Sequence, residues 1–121
     1  MNKYNIKIIS LENCPYSEAA ENLMKSNNIK CIIKKVNSTT KEKYKSKKIS
    51  TFPQIYLEKN KKYILLGGYS DLQNIYDIIN STNKLNVILK KINSILSNDW
   101  SRKFKLRLIQ ILNKNLPPLS M

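Results

Sequence analysis

Short apolar runs alternate with helix-type spacing over the first 80 residues of the chain. The runs have the length of buried strands, whereas the other segments repeat their apolar residues every three or four positions, as amphipathic helices do. Pro15 suits the first turn of a helix, and a polar turn between the last two runs predicts a hairpin. The pattern predicts strands at residues 4–10, 31–36, 54–58 and 63–66, and helices at residues 15–26, 39–48 and 70–79.

Two of these helices begin with the spacing of a capping box. In that motif a Ser or Thr side chain and a Glu or Gln three residues later bind each other's backbone amides. Thr39 with Glu42 predicts the start of a lysine-rich helix that runs to about Lys48. Ser70 with Gln73 predicts the start of the helix that follows the hairpin.

The pattern changes after residue 80, where apolar residues repeat at helical spacing in two further segments. Pro117-Pro118 should end the second of them. The repeating residues are Leu85, Ile88, Leu89, Ile92, Ile95 and Leu96, then Trp100, Phe104, Leu108, Ile111 and Leu112. We therefore divide the chain into a domain, residues 1–80, and a basic amphipathic helical extension, residues 81–121. Because so many apolar groups left in water would favour aggregation, we expect the extension to pack on the domain or on a second copy in a homodimer.

The charge of the chain is strongly positive, with 22 Lys and Arg against 8 Asp and Glu. Such a charge attracts anions, although the frequent Lys, Asn and Ile also fit an AT-rich genome, such as that of a parasite or a large DNA virus. Nucleic-acid binding is disfavoured, because the extension has few aromatic residues among its basic ones. The chain has neither a membrane-spanning apolar run nor a signal-peptide pattern, so we expect a cytoplasmic protein, or one in the host cytoplasm if viral.

The chain has two cysteines and no histidine, which excludes the usual zinc sites and any histidine-based catalytic pair. We predict no metal-ligating residues. Cys14 precedes Pro15 at a helix start, where unpaired amides and the helix dipole favour a reactive thiolate. Cys31 begins the next strand, about 16 Å from the end where Cys14 is expected. A disulfide needs Cα atoms within about 7 Å, so we expect Cys31 to be a small core residue.

Three segments, taken together and in order, resemble the signature segments of the glutaredoxin family. They are Cys14-Pro15-Tyr16-Ser17, Thr51-Phe52-Pro53 and Gly67-Gly68-Tyr69-Ser70-Asp71. The resemblance covers residues 4–80. It implies an α/β thioredoxin fold of order β-α-β-α-β-β-α, with a four-stranded mixed sheet and the C-terminal helices as an addition. It also implies glutathione as co-substrate, with glutathionylated or disulfide-bonded proteins as partners.

The resemblance also assigns site residues. Cys14, Pro15, Tyr16 and Ser17 correspond to the catalytic segment, and Thr51, Phe52, Pro53, Gly68, Tyr69, Ser70 and Asp71 correspond to the glutathione-binding segments. Pro53 is expected to be cis, with the backbone of Phe52 open to an extended peptide. Asp71 is expected to meet the ammonium group of the γ-glutamyl end of glutathione.

Two departures from the family pattern affect the chemistry. Ser17 stands where many members have a second cysteine, which leaves a monothiol mechanism through Cys14. Its hydroxyl could donate a hydrogen bond to Cys14 or simply be solvated. Leu11 stands where a lysine is common, so the cation for the glycine carboxylate of glutathione must come from elsewhere. Nearby candidates are Lys45, Lys47 and Lys48.

The predicted function is glutathione-dependent reduction of protein–glutathione mixed disulfides by Cys14. Two alternatives stay open. Two chains and two glutathiones could share a [2Fe–2S] cluster through Cys14, although relatives that do this typically have glycine where Pro15 stands. The domain could also be a non-catalytic binding module that uses its basic C-terminal helices.

Overall fold

The computed structural model describes residues 3–116. Pro117-Pro118, which we expected to end the last helix, lies outside them. The chain divides into two compact units, Met1–Leu72 and Gln73–Met121. The elements, in chain order, are β1 (Tyr4–Leu11), α1 (Pro15–Ser26), β2 (Cys31–Val36), a 3₁₀ helix (Lys41–Tyr44), β3 (Gln54–Lys59), β4 (Lys62–Gly67), α2 (Tyr69–Ile79), α3 (Leu85–Asn93) and α4 (Arg102–Leu112). The domain boundary at residue 80 stays a prediction.

One four-stranded mixed sheet forms the first unit, with strand order β2-β1-β3-β4. β1 pairs in parallel with β2 and antiparallel with β3, and β3 pairs antiparallel with β4. β1 is apolar on both faces because it is a central strand of the sheet. Its consecutive residues Ile8 and Ile9 point to opposite faces, and both are buried. Ile6, Ile55 and Leu57 complete the sheet core, with exposures of 1%, 0% and 1%. The predicted α/β thioredoxin-type fold is confirmed.

Strand register defines two ends of this sheet. Leu11 pairs with Val36 at one end, which we name the Cys14 end because β1 leads there into Cys14. Ile6 pairs with Cys31 at the other, which we name the Cys31 end. β3 begins at the Cys14 end, where Gln54 pairs with Ile9, and β4 returns to it. All three signature segments therefore lie at the Cys14 end.

A polar link joins β1 to α1 and β2. Ser10 is fully buried and its hydroxyl donates a hydrogen bond to Glu21, whose carboxylate also accepts one from Lys35 at 2.8 Å. Burial acts to raise the pKa of the Glu21 carboxyl, but the hydrogen bonds from Lys35 and Ser10 outweigh it, and the pKa is lowered. These hydrogen bonds attach α1, which begins immediately after Cys14, to β1 and β2.

The lysine-rich helix predicted over residues 39–48 is wrong. Only a 3₁₀ helix forms, Lys41–Tyr44, and its N-cap residue Thr40 makes no capping side-chain bond. The predicted capping box is absent. Instead, the Asn37 side-chain oxygen accepts hydrogen bonds from the backbone amides of Thr39, at 2.9 Å, and Thr40, at 3.0 Å. Asn37 therefore starts a local turn in which the Thr39 side chain caps nothing.

A buried glutamine limits that helix at its other end. Gln54 is fully buried, and its amide donates a hydrogen bond to the Tyr44 carbonyl at 2.8 Å. The phenol of Tyr56 donates in turn to the Gln54 side-chain oxygen at 2.9 Å. Since Gln54 takes the Tyr44 carbonyl as acceptor, the segment that follows leaves the helical path and continues to the Cys14 end of the sheet.

The second unit contains the C-terminal part of α2 together with α3 and α4. The two helices after residue 80 are those that the helical spacing of apolar residues predicted. Ile88, Ile92 and Ile109 are fully buried. The ends differ from the prediction: α3 stops at Asn93, so Ile95 is 44% exposed, and Trp100 is buried although it precedes α4.

Two asparagine side chains connect the extension to α2. Asn113 donates a hydrogen bond to the Ile79 carbonyl at 2.9 Å, and Asn80 donates one to the Leu112 carbonyl at 3.1 Å. The end of α4 is thus fixed to the end of α2, whereas pairing with a second copy stays a prediction. Within residues 3–116, no helix has the length and apolar character needed to cross a membrane.

Candidate functional site

The thiol of Cys14 lies at the N-terminus of α1. Asn13 turns the chain with φ at 58°, a left-handed conformation that asparagine tolerates, and Cys14 then takes the extended N-cap position ahead of Pro15. The Cys14 Sγ lies 3.8 Å from the carbonyl oxygen of Phe52. Cys14 therefore stands at a helix start, and its sulfur lies beside the backbone of the second signature segment.

The second signature segment adopts the backbone geometry that the resemblance implied. The Phe52–Pro53 peptide bond is cis, and Pro53 is buried. Thr51 is exposed beside it. Phe52 therefore presents its carbonyl to Cys14 at the point where β3 begins.

The third signature segment makes a tight approach between β4 and α2. Gly67 has φ at 137°, and a Cβ atom there would lie 2.2 Å from Oδ2 of Asp71. The Gly68 amide donates a hydrogen bond to that same oxygen at 2.9 Å. A Cβ on Gly68 would meet the Pro53 carbonyl oxygen at 3.7 Å, which places the second and third segments side by side.

The capping box predicted for Ser70 and Gln73 is therefore wrong. α2 begins at Tyr69, so Ser70 lies inside its first turn, where it is exposed. Asp71 takes the capping role, because its carboxylate binds the Gly68 amide just before the helix. The negative charge of Asp71 at a helix start is also favoured by the helix dipole.

One open groove joins the three segments. It has a volume of about 420 Å³ and is lined by Tyr16, Lys48, Ile49, residues 51–53, Leu65 and residues 67–71. Tyr16 is 64% exposed at the rim, and its ring centroid lies 6.4 Å from that of Tyr69. Three aromatic residues and two glycines are among the lining residues, which suits an extended peptide.

Ser17 has a structural role that the sequence did not suggest. The side chain is fully buried, and its oxygen accepts a hydrogen bond from the Leu11 amide at 3.0 Å. The interpretation of Ser17 as a solvated serine is wrong, and its observed partner is Leu11 rather than Cys14. Ser17 ties the end of β1 to the first turn of α1 and so holds the loop that carries Cys14.

Lys48 is the lysine that the structure brings to the groove. Lys45 instead forms an ion pair with Glu42 at 3.1 Å. Leu11, at the position where the family often has a lysine, is the last residue of β1. Of the three candidates left open by the sequence, Lys48 is therefore the one placed to meet an anionic group of a ligand.

Cys31 takes no part in this site. It lies at the opposite end of β2 and is partly exposed, so the expectation of a core residue is wrong in part. Burial and, secondarily, the negative charge of Glu21 raise the pKa of its thiol. No group of three or more residues of the types His, Cys, Asp and Glu that could hold a metal ion is present in residues 3–116.

Three contributors to the site were missed in the sequence. Ile49 and Leu65 line the groove, and Gln54 fixes the segment that leads to it. Gln54 did carry a signal, since a polar residue that opens an apolar strand needs a buried partner. Nothing in the local pattern identified that partner as Tyr44.

A thiol at a helix start, beside a cis-proline turn on this sheet, defines a thiol–disulfide oxidoreductase of the thioredoxin-like class. Residues 6–64 match the glutaredoxin family model. A crystal structure of glutaredoxin 1 from Francisella tularensis, complexed with cacodylate, is similar at 26% identity and a TM-score of 0.52. The match covers 66% of this chain and 100% of that chain. A comparison with curated protein sequences gives no significant match.

This part of the chain, residues 6–64, is therefore similar to the glutaredoxin family. Members of that family are usually glutathione-dependent oxidoreductases. The helices α3 and α4 are an addition to the thioredoxin-like fold.

Proposed function

We propose that this protein reduces protein–glutathione mixed disulfides by a monothiol mechanism, with Cys14 as the nucleophile. The observation that carries the proposal is the distance of 3.8 Å between the Cys14 sulfur and the Phe52 carbonyl oxygen. Phe52 also lines the groove, so the Cys14 thiol lies beside a groove whose backbone and side-chain groups suit a glutathione chain.

The reaction requires two exchanges at one sulfur. In the first, the Cys14 thiolate attacks the glutathione sulfur of the mixed disulfide. A Cys14–glutathione bond forms as the protein–glutathione bond breaks, and the protein leaves as a thiolate that takes a proton from water. In the second, the thiolate of another glutathione attacks the glutathione sulfur bound to Cys14. Oxidised glutathione leaves, and the Cys14 thiolate is restored.

Glutathione binding is assigned to groups at both ends of the groove. The backbone of Phe52 would pair with the peptide as an added strand does. Amides in the first turn of α2, near Ser70, suit the γ-glutamyl carboxylate, and the Asp71 carboxylate suits the adjacent ammonium. Lys48 would bind the glycine carboxylate, in place of the lysine that Leu11 replaces.

The monothiol form of the mechanism rests on the other two candidate residues. Ser17 has no sulfur, and its hydroxyl oxygen already accepts the Leu11 amide. Cys31 pairs in register with Ile6, at the end of the sheet away from Cys14. A resolving thiol within reach of Cys14 is therefore lacking, and a second glutathione must complete the cycle.

The test is glutathione-dependent reduction of hydroxyethyl disulfide by wild type, Cys14→Ser and Cys31→Ser. We expect Cys14→Ser to lose all activity and Cys31→Ser to keep most of it. Equal losses would contradict the monothiol scheme, and an inactive wild type would favour a binding module. Anaerobic reconstitution with iron and sulfide covers the third possibility, because a brown, dimeric product would favour a cluster carrier.

A further inference from the structure

Five lysines occupy the eight residues from 41 to 48, whereas the whole chain has 22 basic residues in 121. We name residues 41–48 the lysine loop. The concentration is local, so the general lysine content of the chain does not account for it. The segment also approaches the groove, since its last residue, Lys48, is part of the lining. A positive surface therefore adjoins the proposed reaction site.

The lysine loop is held in place by specific bonds. Its first turn starts from the side chain of Asn37, and the carbonyl of Tyr44 is bound by the buried amide of Gln54. Further along, the Ser46 amide donates to the Ile49 carbonyl at 2.8 Å. These bonds order the backbone of the loop before any partner binds, so its lysines present a defined array of charge.

Most of the charge of the loop is not neutralised locally. Glu42 is the one acidic residue of the loop, and it pairs with Lys45. Lys43 and Lys47 are both exposed, and neither has an ion pair within residues 3–116. These two lysines are therefore open to charged groups on another molecule.

The loop lies within reach of the chain that flanks a bound disulfide. Lys47 lies five positions before Phe52, and five extended residues span at most about 18 Å. Phe52 in turn contacts the Cys14 sulfur. A substrate protein whose modified cysteine sits at Cys14 would therefore bring residues up to about five positions away onto the lysine loop.

We propose that the lysine loop is a docking surface for acidic segments of substrate proteins, namely Asp- and Glu-rich sequence beside the glutathionylated cysteine. This inference rests on the proposed function, because it adds a protein-selecting surface to the same site. Charge complementarity of this kind raises the association rate and favours acidic partners over neutral ones. The adjoining groove suits peptide backbone, which favours a protein over a nucleic acid as the occupant.

The test compares two glutathionylated peptides that differ only in flanking residues, one with four Asp and Glu and one with Ser in their place. The enzyme variants are wild type, Lys43→Gln/Lys47→Gln, and the control Lys61→Gln/Lys62→Gln. The control lysines are exposed at the β3–β4 turn, at the Cys31 end of the sheet, and their loss changes the net charge equally. Hydroxyethyl disulfide serves as a small neutral substrate.

We expect wild type to prefer the acidic peptide in kcat/KM, and Lys43→Gln/Lys47→Gln to lower kcat/KM for that peptide about fivefold, as two exposed ion pairs would allow. Activity with the neutral peptide and hydroxyethyl disulfide should not change, and the control should match wild type. The preference should weaken in 0.5 M salt, because exposed charges are screened.

Several results would overturn the inference. Equal kcat/KM of wild type for the two peptides would refute it while leaving the proposed function intact, provided hydroxyethyl disulfide is reduced. An equal loss of kcat/KM for the acidic peptide in both double variants would also refute it, because net charge rather than the lysine loop would then cause the effect. A single-stranded oligonucleotide that binds wild type more tightly than the acidic peptide does, and loses affinity in Lys43→Gln/Lys47→Gln, would assign the surface to nucleic acid instead.

Discussion

The two ends of the sheet each hold a cysteine in very different surroundings. At the Cys14 end the thiol belongs to the N-cap residue of α1 and lies beside the Phe52 carbonyl, and Phe52 lines a groove that extends to Asp71. At the Cys31 end the thiol is partly buried beside the Glu21 carboxylate, which opposes its ionisation. The comparison teaches that position at one or the other end of the strands, rather than residue type, gives the two cysteines their different surroundings.

Strand direction is the physical source of this difference. β1 and β2 are parallel, so Cys31 at the start of β2 is level with Ile6, while Cys14 follows the end of β1. Helix starts and their unpaired amides follow the carboxyl ends of such strands. The predictions below either disturb the arrangement at the Cys14 end or test the contrast with the Cys31 end.

The largest effect on stability is expected for Gly67→Ala. The residue has φ at 137°, and its new Cβ would lie 2.2 Å from Asp71 Oδ2. The strained backbone and the displaced cap together should lower the free energy of unfolding by about 3 kcal/mol. Urea unfolding measures the loss.

Gly68→Ala is the matched control for that change. Its Cβ would make an ordinary contact with the Pro53 carbonyl oxygen, at 3.7 Å. We expect a loss below about 1 kcal/mol, since no buried group is displaced. Equal losses at the two glycines would contradict the close approach described for Gly67 and Asp71.

Ser17→Ala should have the next largest effect. It leaves the Leu11 amide without its acceptor at a buried position, which should cost about 1–3 kcal/mol of unfolding free energy. Ser70→Ala, at an exposed serine in the first turn of α2, should change stability by less than about 0.5 kcal/mol. If the two serines cost the same, Ser17 does not hold the loop that carries Cys14.

The spacing of apolar residues was sufficient to predict the four strands, the helices α1 and α2 and the two helices of the extension. Ile8 and Ile9 illustrate why, because a run of apolar residues without alternation requires a strand buried on both faces. The resemblance to glutaredoxins added the positions of Cys14, Pro53 and Asp71. These predictions depend on local sequence or on motifs of fixed spacing.

The errors over residues 39–48 and at Ser17 involve partners in another element of the structure, whereas the two predicted capping boxes fail because of nearby residues, Asn37 and Asp71. The helix over residues 39–48 fails because Gln54 takes the Tyr44 carbonyl, ten residues away. Ser17 is buried because the end of β1 packs over it and supplies the Leu11 amide. Such bonds become visible only when the strands are assembled, since helix propensity and capping spacing describe neighbours within one element.

Asp71→Asn should raise the Michaelis constant for glutathione about fivefold without affecting folding. Asparagine keeps an oxygen for the Gly68 amide, so the cap survives, but the negative charge proposed to meet the ammonium of glutathione is lost. The measurement is kcat and KM for glutathione, together with a thermal melt. Asp77→Asn is the control, because Asp77 is exposed on α2 and does not line the groove. An unchanged KM would remove Asp71 from the glutathione site.

The smallest effect concerns the thiol at the other end of the sheet. Burial and the Glu21 charge raise the pKa of Cys31, so less of it is thiolate near neutral pH than for a free thiol, whose pKa is about 8.5. In Cys14→Ser, iodoacetamide should therefore modify Cys31 more slowly than it modifies glutathione at pH 8. The rate should rise mainly above pH 8.5, because a raised pKa moves thiolate formation to more alkaline solution. Mass spectrometry across pH 7–10 measures the midpoint.

One further variant and one unfolded control separate the causes of that shift. Glu21→Gln removes the nearby charge and should move the midpoint towards the ordinary thiol value, while burial keeps it above that value. Unfolding Cys14→Ser in urea removes both causes and should restore the free-thiol rate. A folded-state midpoint at or below that of the unfolded chain would show that the two cysteines do not differ in the way their surroundings require. The contrast between the two ends of the sheet would then rest on the position of Cys14 alone.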